Sequence, residues 1–102
     1  MKSSRLIIAT VLGAALVHGP AFAQVDARKA EGLAKQAGCL NCHNADATKK
    51  VGPGYKDVAA KNKGATVDKL AADMKAKPVH QAALKAAKEE DVKTILGWIL
   101  SL

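Results

Sequence analysis

An all-α fold is predicted by two features of this 102-residue chain and by one absence. Apolar residues recur at i, i+3, i+4 and i+7 in three separate segments, the spacing that gathers them on one face of a helix. No stretch alternates apolar and polar residues as a half-buried strand would. The second feature is Cys39-Leu40-Asn41-Cys42-His43, two thiols three apart with an imidazole directly after them. That is the pattern of covalent haem attachment: each thiol forms a thioether with a vinyl group, and the imidazole is left as an axial ligand of the iron. Four to five short helices wrapped around one covalently attached haem are therefore expected.

Other uses of the motif fit less well. A thioredoxin-like redox pair needs a strand before the first cysteine and a helix opening at it, whereas Gln36-Ala37-Gly38 reads as a helix ending. A zinc site would lack its second pair of ligands, because Cys39 and Cys42 are the only cysteines. A structural disulfide is the remaining alternative.

Taken in order, residues 1–23 read as a cleaved secretion signal. Lys2 and Arg5 form a positive start, Leu6 to Val17 an apolar centre, and Ala21-Phe22-Ala23 a small-x-small cleavage site before Gln24. The apolar run is broken by His18, Gly19 and Pro20, and it falls short of the roughly 18 to 20 residues a membrane span needs. No membrane span is expected to be retained, and the periplasm is the expected compartment. Residues 24–102 then form one domain of 79 residues. A chain this short seldom buries enough apolar surface unaided, so haem is expected to complete the core and the apoprotein to be largely unfolded.

Ala30, Leu33, Ala34 and Ala37 give a narrow stripe of small residues on a helix from Asp26 to Ala37. Tyr55 to Asn62 reads as a short helix after the Gly52-Pro53-Gly54 turn. Thr66 caps a third helix carrying Val67, Leu70, Ala71 and Met74, which Pro78 stops. Val79 to Ala87 is rich in alanine and prone to helix, with His80 and Leu84 on one face at i, i+4. Glu89 to Leu102 is the clearest helix: Val92, Ile95, Leu96, Ile99 and Leu100 line one face, and Glu89-Glu90-Asp91 put negative charge at its N-terminus.

The attachment motif, the run Val51-Gly52-Pro53-Gly54-Tyr55-Lys56-Asp57-Val58-Ala59-Ala60-Lys61 and the ending Val92 to Leu102 with Trp98 together resemble the small monohaem class I cytochromes c of bacteria, of the c-551 and c-552 type. The resemblance implies their fold, with first and last helices crossing closely, and Gly32 beside Trp98 is the expected point of approach. It implies that the Pro53 carbonyl accepts the second N–H of His43. Tyr55 is open to packing on the haem, to bonding a propionate, or to lying half-exposed. Trp98 is counted with Cys39, Cys42, His43, Pro53, Tyr55 and His80 among the expected haem contacts.

The sixth iron ligand departs from the pattern. The resembling proteins use a loop methionine, commonly beside a proline, but here Lys77-Pro78-Val79-His80-Gln81 stands in that place. Met74 is the only methionine after the first residue, and it sits on an apolar helical stripe where core packing is the ordinary role. His80 is the only histidine besides His43 after residue 23, so it is the expected sixth ligand, with Met74 as the alternative. The function expected is single-electron transfer between a redox protein donor and acceptor. Alternatives are a five-coordinate or labile haem that binds a small gas, and a haem subunit of a larger complex.

The formal net charge of +7 falls to +5 once Lys2 and Arg5 leave with the signal. The lysines are dispersed and stacking aromatics are few, which argues against nucleic-acid binding. Lys49, Lys50 and Lys56 flank the attachment segment and are candidates to steer an acidic partner, although a merely soluble surface uses lysine in the same way. No Ser-His-Asp or paired-carboxylate arrangement points to an enzyme. A monomer or a small complex is expected.

Overall fold

The computed structural model describes residues 26–102, and among them there are five α-helices and no strand. The expected signal segment lies outside the described residues. Helix α1 spans Ala27–Gln36 and begins where the Asp26 carboxylate accepts the backbone N–H groups of Arg28 (3.1 Å) and Lys29 (3.2 Å). These donors have no partner inside a helix, so an acidic cap satisfies them. The helix stops at Gly38, whose φ of +81° is a left-handed conformation that side chains disfavour. That turn delivers Cys39 into a short 3-10 turn, Cys39–Asn41.

Helix α2 spans Tyr55–Lys61 and α3 spans Val67–Lys75, the latter capped by the Thr66 hydroxyl accepting Lys69 N–H at 3.1 Å. A 3-10 turn, Pro78–His80, leads into α4, Gln81–Ala86. Helix α5 spans Glu89–Leu100. The continuous helix expected over Val79 to Ala87 is thus divided: Pro78 at the first turn lacks an N–H, and the chain winds tightly through His80 before α4 begins.

Helix α5 is the central element, packed against α1, α3 and α2. Val92, Ile95, Leu96, Trp98 and Ile99 are all buried on it, and Leu70 and Ala71 of α3 meet that face. The close approach of α1 is made by Ala30 and Ala34, both 0% exposed. Methyl side chains at i and i+4 let the two backbones come near each other. Gly32 is not that point of approach, contrary to expectation. A Cβ placed on it would meet nothing within 4 Å, because position 32 turns away from the Ala30–Ala34 stripe.

Candidate functional site

Beside α5 the helices leave a cleft of about 550 Å³. Cys39, Cys42 and His43 stand on one wall and Met74, Val79 and His80 on another, with Leu70, Ile95 and Ile99 of the core between them. The opening fits a flat apolar macrocycle with thiols at its edge and an imidazole on each side. Among the described residues, no three His, Cys, Asp or Glu side chains gather tightly enough to hold a bare metal ion.

The first wall is built by the chain from Cys39 to Tyr55. The 3-10 turn brings Cys42 N–H to the Cys39 carbonyl at 3.2 Å and His43 N–H to the same oxygen at 3.1 Å. Both thiols are free, with Cys39 half-buried and Cys42 exposed. Gly52 N–H then donates to the Cys42 carbonyl at 2.7 Å, and Tyr55 N–H to the Asn44 carbonyl at 2.8 Å, closing the loop on itself. His43 Nδ1 lies 2.6 Å from the Pro53 carbonyl oxygen. A carbonyl only accepts, so Nδ1 carries the proton and Nε2 keeps its lone pair. The ring rests on Gly52. A Cβ there would come within 2.8 Å of both ring nitrogens and closer still to Cε1.

Tyr55 is buried at 4% exposure, so the half-exposed alternative does not apply. Its ring stacks on His43 at 5.2 Å between centroids and 24° from parallel, and meets Trp98 edge-on at 5.7 Å and 84°. Burial pushes the Tyr55 hydroxyl well above the ordinary tyrosine range, and the neighbouring Cys39 thiol adds to that through its charge and hydrogen bond. Burial likewise raises the Cys39 thiol, against the hydrogen bond from Tyr55. Trp98 is not a cleft-lining residue. It is buried in the core, in edge contact with Tyr55, and reaches the site through that ring.

On the opposite wall, His80 is half-buried and its Nδ1 lies 2.9 Å from the Met74 carbonyl oxygen. By the same reasoning its Nε2 is left with the lone pair. The His43 and His80 rings are 6.3 Å apart between centroids and 19° from parallel. Met74 is half-buried, packs against the core and also lines the cleft. The face expected to carry His80 and Leu84 toward the haem is rotated: Ala83 and Ala87 line the cleft with His80, while Leu84 packs against the core. The 3-10 turn that ends at His80 winds more tightly than an α-helix, which shifts the phase of α4.

Lys49, Lys50 and Lys56 are exposed, and Lys50 Nζ donates to the Leu40 carbonyl at 3.2 Å. Sequence reasoning missed Lys61 and Lys77, which stand at the cleft, and Val51 and Val79, which line it while 80% and 84% exposed. Large apolar side chains left open at one cleft are a signal, but one visible only after folding.

The chain is 39% identical over 105 residues to cytochrome c-551 of Stutzerimonas stutzeri, a match that covers 95% of each chain. The chain belongs to the cytochrome c-551 family. Cytochrome c-551 of Pseudomonas aeruginosa is 33% identical over 108 residues, covering 99% of this chain and 98% of its own. Cytochrome c-552 of Hydrogenobacter thermophilus is 55% identical over 47 residues, covering 44% of this chain and 47% of its own. No family model and no solved structure matches the chain. As a small class I cytochrome c, this c-551 relative carries one covalent haem c and works in electron transfer. The family fold accounts for the all-α architecture and for a cleft with the Cys39-x-x-Cys42-His43 segment on its wall.

Proposed function

We propose that this chain is a periplasmic single-electron carrier whose haem iron is held between His43 and His80. The observation that carries the axial reading is the pairing of the two rings across the cleft. Two imidazoles bonded to one metal at about 2 Å each hold their ring centres about 6 Å apart, and here the spacing is 6.3 Å. Each ring has its Nδ1 on a backbone carbonyl, Pro53 for one and Met74 for the other, which leaves Nε2 available on both. Cys39 and Cys42 fix the macrocycle edge, and Tyr55 packs behind His43. The haem supplies a one-electron couple, and the chain keeps it apolar on its inner side and ligated on both faces.

The axial set matters for the potential. A methionine thioether opposite histidine raises it, whereas a second imidazole does not, so this carrier works at lower potential than a His-Met haem in the same fold. Export to the periplasm is supported by the signal-like residues 1–23 and by the exported chemistry of thioether attachment. No described helix is long and apolar enough to cross a membrane. Lys61 and Lys77 at the cleft, with the exposed Lys49, Lys50 and Lys56 near the attachment segment in sequence, favour an acidic redox partner on each side of the transfer. Ferric protein made in a haem-attaching host tests the axial assignment by low-temperature EPR. A low-spin bis-imidazole signal in the wild type that turns high-spin in His80→Ala is expected; a high-spin wild type, or a sulfur-to-iron charge-transfer band in the wild type, overturns it.

A further inference from the structure

Besides histidine, only two aromatic side chains follow residue 23, Tyr55 and Trp98, and both stand in one chain of ring contacts with His43. Pro53 holds the imidazole at a single atom, its carbonyl accepting the Nδ1 proton. A hydrogen bond at a carbonyl oxygen tolerates a broad range of directions, so this bond selects the tautomer and leaves the ring some freedom to turn. The surface that the ring lies against is the face of Tyr55, at 5.2 Å and 24° from parallel. Tyr55 has little freedom of its own. Its N–H donates to the Asn44 carbonyl at 2.8 Å, and Gly54 before it lies directly on the Asp46 and Ala47 backbone, where a Cβ would collide. Its ring meets Trp98 edge-on at 5.7 Å and 84°, and Trp98 is buried on α5, the helix against which α1, α2 and α3 pack. Opposite His43, the His80 ring lies 19° from parallel with it.

We propose that Trp98 and Tyr55 are positioning residues of the redox centre: Trp98 fixes Tyr55, Tyr55 fixes the plane of the His43 ring, and the pair thereby keeps the two imidazoles near parallel. The proposal rests on the reading of His80 as axial ligand, and it gives a role to Trp98, which does not line the cleft. Stacked and edge-to-face arrangements are both preferred geometries for aromatic pairs, so each contact resists rotation of its neighbour as well as filling space. Groups beyond the ligands commonly set the orientation of a ligating imidazole. The consequence for the iron is electronic. Each imidazole carries its π orbitals perpendicular to its plane. Aligned planes act on the same iron d orbital and split it from its partner, whereas crossed planes act on the two equally and the effects cancel. The spread of the low-spin ferric g-values measures that splitting.

Low-temperature EPR of the ferric haem-loaded protein reads the splitting directly. The wild type should show the three resolved g-values of aligned planes. Tyr55→Phe keeps the ring and should keep those values. Tyr55→Leu removes the stacking face, and its signal should broaden and its largest g-value rise toward the single large-g feature of crossed imidazoles. Trp98→Leu, one ring further away, should move the signal in the same direction by less, and Trp98→Phe, which keeps a ring edge toward Tyr55, should fall between it and the wild type. Leu33→Ala is the control: it removes packing on the α1 side of the core, so it should lower the thermal midpoint and leave the g-values in place. Wild-type g-values in Tyr55→Leu, or a shift in Leu33→Ala as large as that in Trp98→Leu, overturn the positioning roles while leaving the axial reading intact. A wild type that already gives the large-g signal of crossed planes does the same. A high-spin wild type, or one with a sulfur-to-iron charge-transfer band, overturns the axial reading and this proposal with it.

Discussion

His43 and His80 face one another across the cleft with their Nδ1 atoms on the carbonyls of Pro53 and Met74, at 2.6 and 2.9 Å. The two carbonyls come from unlike places, a loop turn and the last turn of α3, yet they select the same tautomer in both rings. Met74 therefore serves the site through its backbone, whatever its side chain does. Because that role belongs to the backbone, a side-chain substitution can test the sulfur candidate for the sixth position without disturbing the nitrogen one.

Met74→Leu keeps the carbonyl and removes the thioether. The volume is nearly conserved and the residue is half-buried, so the stability loss should be below about 1.5 kcal/mol. The ferric EPR signal and the midpoint potential should stay essentially as in the wild type. A switch to high spin on this change alone would move the ligand to Met74.

Gly52→Ala tests the His43 side of the cleft. The added methyl occupies the space of the His43 ring, whose nitrogens lie 2.8 Å from the new atom, and the ring is already stacked on Tyr55. The ring must tilt, weakening its bond to Pro53. Overpacking of this kind costs about 1–3 kcal/mol. Thermal unfolding should fall accordingly, and the low-spin g-values should shift because the imidazole plane has turned. Gly52→Ala with unchanged g-values would mean that the loop moves as a body and the ring does not.

How much of this is legible in the sequence depends on the range of the interaction. The start of α1 near Asp26, the cap at Thr66, the stop at Gly38 and the apolar face of α5 are local patterns, and the structure places them within a residue or two of where spacing puts them. The attachment segment is equally local. Rotation about a helix axis is not. Gly32 suits the helix crossing by its size, but Ala30 and Ala34 hold that face. Leu84 falls in phase with His80 only if one continuous helix joins them, and a 3-10 turn intervenes. Lys61 and Lys77 reach the cleft only because α2 and α3 end there, which no short-range pattern encodes.

Asp46 gives a pH test of the His43 wall. Its carboxylate accepts Thr48 N–H at 2.7 Å, and this bond, with Thr48's side chain next, holds its pKa below the ordinary 3.8. A depressed folded pKa means that stability is complete above the unfolded value of about 4 and is lost as the pH falls through the folded one. Asp46→Asn retains an acceptor oxygen but does not titrate. Acid unfolding followed by the Soret band should begin below about pH 4 in the wild type, and the variant should show a shallower dependence over that window. Identical profiles would place the acid sensitivity elsewhere.

The crossing of α1 and α5 offers a paired prediction in which two neighbouring positions respond in opposite directions. Ala34 is 0% exposed against α5, so Ala34→Leu must force the helices apart or take a strained rotamer, costing about 1–3 kcal/mol. Gly32, two residues away, has open space around its missing Cβ and lies inside α1. Gly32→Ala should therefore stabilise by up to about 1 kcal/mol, through helix propensity and a less flexible unfolded chain. For a domain of this size about 1 kcal/mol moves the Tm by about 4–8 °C, which differential scanning calorimetry of the haem-loaded protein resolves. A loss of stability in Gly32→Ala would restore Gly32 as the point of helix contact, and a neutral Ala34→Leu would show that α1 rides loosely on α5 and that haem, not this crossing, fixes the two helices together.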